Sequence, residues 1–119
     1  MRNIDAYDLS RLIDKKAKIK LINVLPRESF ERLYIPTSLS IPYDREDFVN
    51  SIEDLYPEKT TTIILYSASS TGNLTQNACR ELEEAGYINV YMYRGGIKDW
   101  KNIGNKFLGT DAEKFNKAA

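Results

Sequence analysis

The chain has no histidine. That absence removes Ser-His and Cys-His nucleophile pairs, His-bearing zinc sites and imidazole acid/base chemistry together. Cysteine is nearly as scarce. The single Cys79 permits neither an intramolecular disulfide nor a Cys-x-x-Cys pair, so a secreted, disulfide-stapled scaffold is excluded. No sign of charge is in excess: 17 Lys+Arg stand against 17 Asp+Glu. Zero net charge argues against a protein built to hold nucleic acid and against strong electrostatic steering of partners. Long apolar runs are missing as well. Ile63-Ile64-Leu65-Tyr66 is the longest, far short of a bilayer span. Acid falls at the N-terminus where a signal peptide would be apolar. The expectation is a soluble, cytoplasmic protein with no membrane or nucleic-acid partner. Its 119 residues suffice for one domain that buries about two-thirds of its unfolded surface, and are too few for two.

What is present alternates between two periods. Asp5 can cap a helix running to about Lys15, with Tyr7, Leu9, Leu12 and Ile13 on its apolar face. Lys18 to Leu25 reads as a strand stopped by Pro26, which also suits the first turn of a short helix carrying Ser29, Phe30 and Leu33. A short apolar stretch, Leu39 to Ile41, precedes a helix from about Arg45 to Leu55, expected to bury Phe48, Val49, Ile52 and Leu55. Thr60 to Tyr66 is β-branched and apolar without alternation, as in a strand buried on both faces. A polar loop leads to a helix from about Asn73 to Ala85, ended by Gly86. Ile88 to Tyr93 is a further strand, Gly95-Gly96 a sharp turn, and Ile97 to about Ile103 a short helix around Trp100. The segment after Gly104 is polar and Lys-rich, expected as a weak helix or frayed end.

This order predicts an α/β fold, a mostly parallel central sheet with helices on both faces. Ligands of such sheets bind beyond the carboxyl ends of the strands. That marks Leu25–Glu28, Pro42–Arg45, Ser67–Gly72 and Tyr93–Gly96. The most informative is Ser67-Ala68-Ser69-Ser70-Thr71-Gly72, between the most buried strand and a helix start. Backbone N–H groups turned inward there, with a helix dipole behind them, make an anion cradle. The same pattern also describes an ordinary polar turn whose serines satisfy the backbone. It is not a P-loop, since the Gly-Lys-Ser/Thr ending is absent. Arg94, Arg27 and Arg45 fall in the marked segments and are candidates to supply charge to a bound anion, against the alternative that each is a solvated surface residue. Asp44, Glu46 and Asp47 read as a helix N-terminus rather than a metal site. No metal or cofactor is expected.

The order of elements, this loop, and the segment from Ala85-Gly86-Tyr87 through Val90-Tyr91 to Gly95-Gly96-Ile97 and Trp100 resemble a rhodanese domain. Leu21-Ile22-Asn23-Val24 is similar to that family's Leu-Ile-Asp-Val strand, and Tyr34-Ile35-Pro36 to its His-Ile-Pro turn. The resemblance spans about residues 4 to 104 and implies a rhodanese-like domain there, with 105–119 a polar tail or short helix. It also implies sulfur transfer, in which a cysteine at the first loop position becomes a persulfide and passes the sulfur on. Here that position is Ser67. Serine cannot form a persulfide, its hydroxyl needs a general base to attack anything, and no histidine exists to serve. The departure is not confined to one residue. Asn23-Val24-Leu25 stands for the family's Asp-Val-Arg, Tyr34 for its histidine, and Gly72 and Asn73 where an arginine or second cysteine often closes the loop. From Thr60 to Cys79 no side chain is charged.

The expectation is a rhodanese-like domain without sulfurtransferase turnover. It would act as a binding or regulatory module, its loop holding a small anion, such as a sulfur oxyanion, or a partner's acidic side chain. The alternative is a thiosulfate or persulfide sulfurtransferase whose cysteine has been exchanged for Ser67 by engineering. A serine hydrolase using the loop as an oxyanion hole lacks a nameable base. A rhodanese-related phosphatase would need the missing cysteine and closing arginine. Cys79 falls mid-helix with Thr75 and Leu82 at helical spacing and is expected to pack against the sheet.

Overall fold

The computed structural model describes residues 2–44 and 46–116. Five strands, β1 (Arg2–Ile4), β2 (Lys20–Asn23), β3 (Leu39–Ser40), β4 (Ile63–Tyr66) and β5 (Val90–Tyr93), alternate with five helices. These are α1 (Ala6–Asp14), α2 (Arg27–Arg32), α3 (Phe48–Leu55), α4 (Leu74–Glu84) and α5 (Gly96–Asn102), followed by a 3₁₀ turn at Ala112–Lys114. The strands pair in the order β1-β5-β4-β2-β3, every pair parallel. Both faces of a parallel sheet must be covered, and β4 shows how one strand serves both. Ile63 and Leu65 join Phe48 and Ile52 of α3 and Ala78, Cys79 and Leu82 of α4 in one core. Ile64 and Tyr66 point the other way, to Ala6 and Leu9 of α1 and Trp100 of α5.

Local sequence accounts for most boundaries. The Asp5 side chain accepts the Asp8 N–H at 2.8 Å and starts α1. Pro26 precedes α2, where its missing N–H costs nothing. One strand is not legible in the sequence, and one expectation needs correction. β1 carries no alternation by which it could be recognised, and it is a strand because Arg2, Asn3 and Ile4 align with Tyr91, Met92 and Tyr93. The helix expected from Arg45 begins at Phe48, because the Asp44 carboxylate accepts the Glu46 N–H at 2.9 Å and holds the chain in a turn. Val49 is then only half-buried and Leu55 is 54 % exposed.

The segment after Gly104, expected as a weak helix or frayed end, carries the short 3₁₀ turn at Ala112–Lys114 and packs against the core over its described residues. Phe107 is 1 % exposed and belongs to the core under α1 and α5. The Trp100 indole N–H donates to the Lys106 carbonyl at 2.9 Å. Leu108 and Tyr34 exchange a pair of backbone hydrogen bonds, each 2.9 Å. The Asn116 amide closes the segment, accepting from the Phe107 N–H and donating to its carbonyl. No helix among the described residues is long and apolar enough to cross a membrane.

Candidate functional site

β4 ends at Tyr66, and the chain must then turn into α4 across the carboxyl edge of the sheet. The turn is fixed from outside by α5. The Ile97 N–H donates to the Ser67 carbonyl at 3.1 Å and the Lys98 N–H to the Ala68 carbonyl at 2.9 Å. With its first carbonyls drawn toward α5, the loop leaves the N–H groups of Ser69, Ser70 and Gly72 without an acceptor among the described residues. The contact with α5 requires Gly96. Its φ is +60°, and a Cβ there would lie 2.9 Å from the Ala68 carbonyl carbon and closer still to the Ser67 oxygen. Gly72, at φ +80°, turns the loop into α4.

Inside the loop lies a small polar cleft of about 50 Å³. Ser67, Ser69, Ser70, Thr71 and Gly72 line it, joined by Arg94 from the end of β5. Ala68 does not line it; its backbone is turned to α5. The two other arginines do not converge on this cleft. Arg27, the first residue of α2, borders a separate surface hollow with Phe30 and Tyr34, and Arg45 lies outside the described residues. Tyr34 stacks on Phe30 with ring centroids 4.3 Å apart. Arg94 is exposed and makes no ion pair among the described residues, and it is the one charged side chain on the cleft wall.

Thr75 was not among the residues singled out for this site, yet it makes the closest contact to Ser67. Its hydroxyl donates to the Ser67 Oγ at 2.8 Å, and the two side chains are 8 % and 7 % exposed. Asn73, Gln76 and Met92 complete the wall. The signal for Thr75 lay in its place within the first turn of α4, but only the chain's return over β4 sets it against Ser67. Cys79, one turn further on, is fully buried, and its thiol points to the Tyr91 carbonyl at 3.8 Å. Burial, reinforced by the charge of Glu83, pushes that thiol up to about 12, so it is protonated at neutral pH. The cleft therefore holds hydrogen-bond donors and one guanidinium, with no thiolate and no base. No group of three or more potential metal ligands occurs among the described residues.

Asn23 shapes the neighbouring strand end. It is fully buried, and its side-chain oxygen accepts the Leu25 N–H at 2.9 Å. Across from it the Tyr66 hydroxyl accepts from the Ile35 N–H at 3.0 Å and lies 2.8 Å from the Ser38 hydroxyl. Desolvation keeps that phenol protonated, above its ordinary range.

A family model described as "Rhodanese-like domain" matches residues 5–103. Among curated proteins, the chain is 30 % identical over 101 residues to "Adenylyltransferase and sulfurtransferase UBA4" of Candida albicans, covering 83 % of this chain and 23 % of that protein. It is 27 % identical over 119 residues to the "Thiosulfate:glutathione sulfurtransferase" of Saccharomyces cerevisiae, covering 89 % of this chain and 84 % of that one. The chain thus spans under a quarter of the first relative and most of the second. Among solved structures, the BH2092 protein of Bacillus halodurans superposes with a TM-score of 0.82 at 27 % identity, over 95 % of this chain and 80 % of that one.

Proposed function

The chain belongs to the rhodanese-like domain family, and we propose that it is a member that binds without transferring sulfur. In this reading the loop reversibly holds a small anion or the acidic group of a partner, and the domain serves a binding or regulatory role. One observation carries it. At the position that the sequence resemblance assigns to the family's nucleophile stands Ser67, buried, bonded to Thr75, and with no base on the cleft wall. A hydroxyl in that setting has nothing to take its proton. What the cleft retains, free N–H groups and Arg94, is the equipment of an anion site.

A second reading, an active sulfurtransferase whose cysteine was exchanged for serine, is favoured by the preserved support of the loop. Gly96 still packs against Ser67 and Ala68 as the fold requires. The two part on Ser67→Cys assayed for thiocyanate formation from thiosulfate and cyanide. The expected turnover is roughly 100-fold below that of an active family member, the typical effect of losing one charge-stabilising group, because the loop has no closing charge of its own. Turnover at the level of an active member would overturn the binding reading.

A further inference from the structure

Two adjoining hollows lie toward the amino ends of the strands, away from the serine-rich loop. One, of about 240 Å³, is lined by Leu12, Ile13, Lys16, Ala17, Ile19 and Thr37. The other, of about 250 Å³, sets Ile4, Thr62, Ile64 and Tyr91 against the same Leu12 and Ile19, which form the ridge between them. Ile19 and Thr62 immediately precede β2 and β4, and Leu12, Ile13 and Ile19 are only half-buried. Two residues of the first hollow hold backbone conformations that suit glycine. Lys16, at φ +53°, ends α1: its N–H donates to the Ile13 carbonyl and the Ala17 N–H to the Leu12 carbonyl, a helix ending usually made by glycine. Thr37, at φ +75°, is the third residue of a turn closed by the Ser38 N–H on the Ile35 carbonyl at 3.1 Å. With Pro36 second, such a turn calls for glycine third, and a β-branched side chain is the poorest fit. Among the described residues no other non-glycine backbone is left-handed. Strain held at two positions around one hollow marks it as a binding feature.

Charge identifies the occupant. The chain is neutral overall, yet its stretch from Arg11 to Lys20 holds Arg11, Lys15, Lys16, Lys18 and Lys20 against Asp14 alone. Lys18 and Lys20 flank Ile19 and are exposed. Arg2 donates to the hydroxyl of Tyr91, on the wall of the second hollow, at 2.6 Å. Lys15, Lys16 and Lys18 make no ion pair among the described residues, and no acid lines either hollow. We propose that this edge docks a partner protein through a short acidic segment bearing two apolar side chains, one for each hollow. Its carboxylates meet Lys16, Lys18 and Arg2. Each hollow is smaller than the roughly 300 to 1,000 Å³ of a small-molecule site and suits one buried anchor residue. The ridge of Leu12 and Ile19 interrupts the trough, which fits two separate side chains better than one continuous acyl chain. Docking here is independent of what Ser67 does at the other end of the strands.

The test is selection of a phage-displayed library of random dodecapeptides on the full folded chain, followed by amide NMR titration with the synthetic consensus peptide. The variants are the double change Lys16→Glu with Lys18→Glu, and Thr37→Gly and Lys16→Gly singly. The consensus is expected to contain several acids and two large apolar residues, and to shift the amides from Leu12 to Ile19 with those of Thr37 and Thr62. Its affinity should fall about tenfold in the charge-reversed variant, and fall as salt is raised, because exposed charges attract through water. Thr37→Gly and Lys16→Gly each remove a side chain from the hollow and relieve the left-handed strain. Each should raise the thermal midpoint by about 3 to 6 °C and weaken the peptide about threefold, the worth of a lost methylene contact or more. A gain in stability with a loss of binding is what a merely structural role would not produce. The same spectra report whether each variant is folded.

No peptide enriched over the charge-reversed variant overturns the proposal, as does a consensus without acids or without apolar residues. Shifts confined to Ser69 to Gly72 move the docking to the loop and overturn it equally. Thr37→Gly and Lys16→Gly binding as tightly as the native protein would show that the strained side chains serve no docking, and the site falls. Vesicles of phosphatidylserine supply the remaining comparison. Co-sedimentation with them that the double charge reversal abolishes, with no peptide enriched, assigns this edge to an anionic membrane and overturns the protein partner. None of these results bears on sulfur transfer by Ser67→Cys, which tests the binding reading by itself.

Discussion

At the scale of single residues, charges leave this domain in matched sets. Asn23 and Leu25 stand where the family pattern has an acid and an arginine. Asn23 is fully buried, where an unpaired carboxylate would be costly, so the neutral amide and the loss of the arginine belong together. Asn23 still supplies what the backbone needs, an acceptor for the Leu25 N–H. Cys79 follows the same logic. Its burial keeps the thiol neutral, raised from 9.0 to about 12. An aromatic disulfide reagent at pH 8 should therefore leave the folded protein unmodified and consume one equivalent after unfolding; rapid native-state reaction would contradict the burial. Because the folded thiol holds its proton to higher pH than the unfolded one, this group's contribution to stability is complete below about pH 9 and is lost between about 9 and 12. Denaturant melts of native protein and Cys79→Ala at pH 8 and pH 10.5 should show the native protein losing more stability over that interval.

At the scale of elements, the site depends on how α5 meets the loop after β4. The Gly95-Gly96 pair reads from sequence as a turn, but its second glycine has a more particular duty: it lets the first turn of α5 bond the Ser67 and Ala68 carbonyls. Gly96→Ala combines strain at φ +60° with a backbone collision. It should destabilise the domain by about 2 to 4 kcal/mol and weaken any anion binding by the loop with it, checked by urea unfolding and by an amide NMR titration with sodium sulfate. The corresponding change at Gly72 meets no atom within 4 Å and carries only the conformational part, about 1 kcal/mol. A larger effect at Gly72 than at Gly96 would show that the support by α5 has been misassigned.

At the scale of the whole molecule, the segment after Gly104 completes the core beneath α1 and α5. Phe107 enters that core, and the backbone beside it pairs with Tyr34. Phe107→Ala should cost about 3 to 5 kcal/mol. Removal of residues 105–119 should lower the thermal midpoint further, since it also strips the Trp100 indole of its acceptor. Equal midpoints for the truncated and full chains would mean that the fold ends at α5. Neither change touches the cleft wall. Ser69 and Gly72 amide shifts should therefore hold their positions at temperatures where the variants stay folded.

The sequence by itself determined the alternation of helices and strands, the parallel sheet, the serine-rich loop after β4, and the absence of any thiol or imidazole in it. All of these are written in residue type and short-range spacing, the apolar run of β4 and the serines that follow it above all. Tertiary structure decided what depends on pairs distant along the chain. It made Arg2–Ile4 a strand by alignment with β5 and drew Phe107 into a core that a polar composition conceals. It brought Arg94 to the cleft while leaving Arg27 at another hollow. It set the Thr75 hydroxyl 2.8 Å from Ser67, because hydrogen bonding and burial are properties of positions in space. A serine-rich loop can be read from residue order; the partner of its buried hydroxyl cannot.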